Sequence, residues 1–131
     1  MTKDQWTYVK ECLDTYGMPV SLMCDGYQAT FILSKTTNRR LSILTYVNGW
    51  LKGEWMLEDC EERRRFFRKK TAHLYKSKFR ATLKRLSKKR LKELNIDPDA
   101  KIESYTPMWG AFSTLKRHLI ANNKDISLIK D

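Results

Sequence analysis

The sequence predicts an α+β fold in a single domain over residues 1–131: an N-terminal helix, a four-stranded antiparallel meander and three C-terminal helices. Three observations carry that prediction. Apolar residues recur at helical spacing near both ends of the chain. Two Asx-Gly dipeptides stand between runs of strand-forming residues. Residues 63–92 hold fifteen of the 26 Lys and Arg and no Asp or Glu. With 131 residues, 41% of them hydrophobic and 11% aromatic, the chain carries enough apolar mass for one core.

The helix is expected over 1–17. Trp6, Val9, Leu13 and Tyr16 share one face, Thr2 and Gln5 have the spacing of a capping box, and Gly17 followed by Pro19 stops the helix. Its apolar stripe needs a surface, and the sheet expected over 19–57 supplies one. Asp25-Gly26 separates 20–24 from 27–33, and Asn48-Gly49 separates 41–47 from 50–56; both dipeptides accept the positive φ of a two-residue hairpin turn. Residues 35–39 form a polar connection between the two hairpins. The first turn sets Cys24 opposite Tyr27, Leu22 opposite Ala29 and Val20 opposite Phe31, with Leu33 on the same apolar side. In the second hairpin Val47 opposes Trp50 on one side and Tyr46 opposes Leu51 on the other. Pattern alone leaves its buried face open: the sheet is covered on both sides, or it presents Tyr46 and Trp55 to a partner.

Basic helices are expected over 58–95. Glu58, Asp59, Glu61 and Glu62 precede Arg63, the order of charge that a helix dipole prefers, so helix is predicted over 58–70 with Phe66 and Phe67 as anchors. A second helix is predicted from Ser77, its N-cap, to Asn95, with Phe79, Leu83, Leu86 and Leu94 near one face. Asp97-Pro98-Asp99 reads as a turn and 101–105 as a short extended piece. Thr106-Pro107 reads as the start of a helix over 106–123, with Met108, Phe112, Leu115 and Leu119 in its stripe and Trp109 and Ile120 widening it. The tail over 124–131 is open between fraying and an added strand, since Ile126, Leu128 and Ile129 alternate only loosely. Trp6, Val9, Leu13, Phe31, Leu33, Phe112 and Leu115 are the expected core.

The formal net charge of +11 selects an acidic partner. A helix face that serves only solubility mixes both signs, because like charges three or four residues apart repel. The cations of 63–92 are therefore expected to meet a polyanion, DNA or RNA, through Arg64, Arg65, Arg68, Lys69, Lys70, Lys76, Lys78, Arg80, Lys84, Arg85, Lys88 and Lys89. Arginine offers bidentate phosphate contacts and lysine point charge, with Thr71, Ser77 and Thr82 as neutral donors. Tyr75 beside Lys76, and Tyr27, Tyr46, Trp50 and Trp55 on or near the sheet, are physically able to stack on unpaired bases, although sheet aromatics are read first as core and cross-strand pairs.

Catalysis is not expected. No G-x-S-x-G, phosphate-cradling glycine loop or H-E-x-x-H occurs, and Glu61 and Glu62 point apart on a helix. Cys12, Cys24 and Cys60 form no C-x-x-C pair, and His73 and His118 stand alone, so no metal and no cofactor are expected and the thiols read as reduced. No apolar run reaches the length of a membrane span, and the N-terminus, with Asp4, Glu11 and Asp14, lacks a signal-peptide layout. The expected setting is cytoplasmic, without a membrane partner.

Cys24-Asp25-Gly26-Tyr27, the block Tyr46-Val47-Asn48-Gly49-Trp50-Leu51-Lys52-Gly53-Glu54-Trp55, Arg65-Phe66 and Tyr105-Thr106-Pro107-Met108-Trp109 resemble a family of small proteins of tailed bacteriophages and prophages. The resemblance implies a bacterial host cytoplasm and a role in phage replication, regulation or countering host defence. It implies no site residues. It also sharpens an alternative partner, a host protein or ribonucleoprotein complex that the chain would inhibit in the manner of an anti-CRISPR protein.

Overall fold

The structure, a computed structural model, describes residues 1–36 and 39–129. In chain order its elements are α1 (Lys3–Leu13), β1 (Val20–Cys24), β2 (Tyr27–Lys35), β3 (Leu41–Val47), α2 (Glu54–Leu57), α3 (Glu61–Phe66), β4 (Arg68–His73), α4 (Ser77–Lys84), α5 (Lys88–Glu93), β5 (Lys101–Thr106), β6 (Met108–Trp109), α6 (Phe112–Asn122) and β7 (Ile126–Leu128). The class is mixed α+β, as expected. The chain divides into two compact units, Met1–Arg68 with Tyr105–Asp131, and Lys69–Ser104.

The first unit is built on a five-stranded sheet in the order β6-β3-β2-β1-β7, antiparallel throughout. The Asp25-Gly26 turn has φ of 49° and 90°, and it sets the expected register of Cys24 with Tyr27, Leu22 with Ala29 and Val20 with Phe31. Because the side-chain period along a strand is two, that register sends Val20, Leu22, Cys24, Ala29, Phe31, Ile43, Thr45 and Val47 to one buried face. The buried face of β3 is thereby decided. α1 covers β1 and β2 with Trp6, Val9, Cys12 and Leu13, its start fixed by the Thr2/Gln5 capping box. Phe66, Phe67, Leu115 and Leu119 complete the core, and Leu33 and Phe112 pack against it half-buried. Each fully buried aromatic or leucine contributes about 1.5–3 kcal/mol of transfer free energy.

Five expectations about elements fail. Residues 50–56 do not form a fourth meander strand: Val47 and Trp50 close one bridge, then Glu54–Leu57 turns into a short helix after Gly53. Glycine weakens a strand interior, and the bend lets Trp55 meet Phe67 edge-on at 6.2 Å. Met108–Trp109 takes the place beside β3 instead. Helix 58–70 shrinks to Glu61–Phe66, because two adjacent buried phenylalanines cannot share one helix face; Phe66 packs on Tyr27 and Phe67, already extended, on Trp55. Lys69 and Lys70 therefore lie on a strand.

Helix 77–95 breaks at Arg85-Leu86-Ser87. Ser87 accepts from the Arg90 N–H and caps a new helix, which spares a continuous stack of like charges. The N-cap of α4 is Lys76 rather than Ser77, with no side-chain cap bond. Thr106-Pro107 does not open a helix: the Thr106 hydroxyl accepts from Met108 N, the Pro107 carbonyl accepts from Thr45 N, and α6 begins only at Phe112. What holds this detour is Trp109, buried opposite Ile43, with Nε1 donating to the Phe66 carbonyl at 3.0 Å. The tail adds the strand β7 to β1. In the connection expected over 35–39, Thr37 and Asn38 lie outside the described residues, as do Lys130 and Asp131 of the tail.

The second unit consists of residues 69–73 of β4 and 101–104 of β5 in a two-stranded sheet, with α4 and α5 between them in sequence. Leu74 N donates to the Ala100 carbonyl, and the Ser104 hydroxyl to the Lys70 carbonyl. The Asp97-Pro98-Asp99 turn is present, with the Asp97 carboxylate accepting from Asp99 N. Leu83, 5% exposed, is the buried apolar side chain of this unit, while Leu74, Phe79, Leu86, Leu94 and Ile102 are exposed.

Candidate nucleic-acid interface

The twelve candidate cations fall in both units, and they are described unit by unit. Arg64, Arg65 and Arg68 belong to the first. Arg65 is only 21% exposed, and its guanidinium is engaged internally. Nη1 donates to Asp25 Oδ2 at 2.6 Å and to Asn123 Oδ1 at 2.9 Å, while Nε and Nη2 donate to Glu61 Oε1 at 2.9 and 2.6 Å. Asp25 in turn accepts from the backbone N–H groups of Lys124 and Asp125 at 2.9 and 2.8 Å. These backbone and Arg65 bonds hold the Asp25 carboxyl down to about 2. Arg65 thus ties the first hairpin turn to α3 and to the chain leading into β7. Arg64 lies 3.4 Å from Asp59, and Arg68 Nε donates to the Met108 carbonyl at 3.3 Å.

Nothing in sequence spacing marks Asp25 as a partner for Arg65, forty residues on. The same local order fixes His118, whose Nε2 donates to the Arg64 carbonyl at 3.0 Å while its ring lies against Trp109. Burial lowers its pKa, so the neutral form is favoured. The Cys24 thiol is pushed up to about 12, chiefly by burial, and the Cys60 thiol is also raised by burial; neither is a ready thiolate. Among the described residues no group of three His, Cys, Asp or Glu comes together to hold a metal ion, and no helix is long and apolar enough to cross a membrane.

The other nine candidates, Lys69, Lys70, Lys76, Lys78, Arg80, Lys84, Arg85, Lys88 and Lys89, belong to the second unit. Its sequence holds twelve Lys and Arg against four Asp and Glu, a formal +8 of the chain's +11. Its acids come from outside the 63–92 run and fold back across part of it: Lys69 meets Glu103 at 3.0 Å, Lys84 meets Asp99 at 3.0 Å and Arg90 meets Glu93 at 3.6 Å. The lysine beside Asp99 lowers the pKa of that carboxyl. Arg80 Nη1 sits 3.2 Å from the ring nitrogens of His73. Lys70, Lys76, Lys78, Arg80, Arg85, Lys88, Lys89, Lys92 and Lys101 meet no carboxylate within ion-pair distance among the described residues.

All three pairs are more than half exposed on both partners, so solvent and salt screen them and each holds its partners only weakly. The first turn of α4 carries no acid and no capping side chain, so its positive dipole end adds to the field of Lys76 and Lys78. Of the aromatics considered for stacking, Trp55 is buried, Tyr27 and Tyr46 are half-buried, and Trp50 is exposed. Phe79, expected near one helix face with Leu83, Leu86 and Leu94, stands at the surface, whereas Leu83 is buried. Comparison with family models, with curated proteins and with solved structures gave no match.

Proposed function

We propose that the protein binds nucleic acid electrostatically, without catalysis, through the second unit. The observation that carries this reading is the segregation of charge. Lys69–Ser104 holds +8, and nine of its cations meet no carboxylate within ion-pair distance among the described residues. A polyanion gains from each of them by releasing condensed counterions, which no neutral or mixed-charge partner offers. Arg65 is excluded from the interface, because its donors are already spent on Asp25, Glu61 and Asn123.

The test is salt-dependent binding of a labelled oligonucleotide followed by fluorescence anisotropy. If about four of the nine cations face one strand, the log–log salt slope is about −3, and affinity falls roughly 60-fold between about 50 and 200 mM salt. The K70E/K76E/K78E variant should lower affinity and flatten that slope by about 2. An unchanged slope and affinity overturns the reading. Capture of a host protein or ribonucleoprotein complex that survives nuclease, with no oligonucleotide binding, would move the assignment to the inhibitor class.

A further inference from the structure

Phe79 is 51% exposed on α4, between Lys78 and Arg80 in sequence, and its ring meets that of Tyr75 at 5.6 Å with a 56° tilt. The pair is braced at the start of the helix, since Tyr75 immediately precedes the N-cap Lys76. Neither Lys76, Lys78 nor Arg80 has a carboxylate partner among the described residues. A phenyl ring held open to solvent, with cations that form no ion pair next to it in sequence, is badly placed for solubility and well placed for a ligand that is apolar on one face and anionic at its edge. An unpaired nucleotide has that chemistry: a base with a π face, attached to a phosphate. A base inside a duplex has both π faces covered by its stacked neighbours, and exposing one requires unstacking and unpairing.

We infer that Phe79, braced by Tyr75, is a stacking platform for an unpaired base, so that the ligand of the second unit is single-stranded nucleic acid. This rests on the proposed nucleic-acid binding and narrows its ligand class. Stacking on one aromatic side chain is worth about 1–3 kcal/mol per base, or roughly 5- to 150-fold in affinity. Charge and stacking are separable, because removing the ring leaves every cation in place.

The experiment compares the wild-type protein with F79A, F79L and F79W on a single-stranded oligonucleotide and on the duplex of the same sequence, at fixed salt. The expected result is a loss of about 5-fold or more for F79A on the single strand, no change on the duplex, and an unchanged salt slope. F79L keeps the apolar bulk without the π face and should fall with F79A; F79W should retain affinity, with its indole fluorescence quenched by the strand. Rescue by F79L would make the ring a packing element and overturn the inference, as would equal losses on strand and duplex or no loss at all. Anionic phosphatidylserine vesicles form the last arm: sedimentation of the wild-type protein with them, abolished in F79A, would assign the ring to a membrane surface and also overturn it. Failure of the wild-type protein to bind either nucleic acid would instead sink the proposed function beneath it.

Discussion

Leu83→Ala should unfold the second unit while leaving the first intact. Lys69–Ser104 is 36 residues long, and at about 0.05–0.15 kcal/mol per residue a unit of that size has about 2–5 kcal/mol of stability of its own. Leu83 is its buried apolar side chain at 5% exposed, whereas Leu74, Phe79, Leu86, Leu94 and Ile102 bury little. A buried Leu→Ala change costs about 2–5 kcal/mol. The substitution therefore removes as much stability as the unit possesses. Hydrogen exchange read by mass spectrometry would follow peptides from 69–104 and, as the internal control, from 20–33. Protection should vanish in the former and persist in the latter, where Leu22, Ala29 and Phe31 are fully buried. Saturating oligonucleotide at about a hundred times its Kd should return about 2.7 kcal/mol, and with it measurable protection. Loss of protection in both segments together, or none in either, would refute the reasoning.

Two further changes probe the first unit. D25N removes the carboxylate that Arg65, Lys124 N and Asp125 N share, and it should lower the melting temperature at neutral pH. Because the folded-state pKa of Asp25 is depressed to about 2, its stabilisation is present above the ordinary value of 3.8 and lost as pH falls through about 2. The gap between wild-type and D25N melting temperatures should accordingly close as pH is lowered across that window; a constant gap counts against the linkage. T45V replaces a fully buried hydroxyl that has no hydrogen-bond partner among the described residues, and should raise the unfolding free energy by about 1 kcal/mol in denaturant titration. Destabilisation would mean that the hydroxyl is satisfied after all.

The first hairpin and the N-terminal helix were legible in the sequence because local chemistry decides them. Asp25-Gly26 sets a turn, the turn sets a register, and Thr2 with Gln5 closes a cap, all within a few residues. The meander's last strand gave way at Gly53, and the start of the final helix was not legible, since it turns on Trp109. Its indole reaches the Phe66 carbonyl, 43 residues away in sequence, and that demand overrides the helix-opening signal of Thr106-Pro107. Phe66 and Phe67 carried a readable warning: two consecutive buried aromatics fit the end of a helix better than its middle.

The charge of the 63–92 run shows where counting along the chain succeeds and where it misleads. Counted as a window, it has no acid at all, yet Arg65 is neutralised by Asp25, which lies 40 residues away, and by Glu61, four residues before it. Lys69 and Lys84 find Glu103 and Asp99 from beyond the window's other end. Taken singly, then, a cation in the window says little about a ligand. The net charge of the folded unit is the sounder quantity, because exposed ion pairs are cheap to exchange while a surplus of charge repels itself until a counterion or a polyanion arrives. On that measure the second unit keeps +8 over 36 residues after all its own acids are counted. A surplus of that size on a unit with so small a core opposes folding, so raising the salt concentration should stabilise the second unit by screening it.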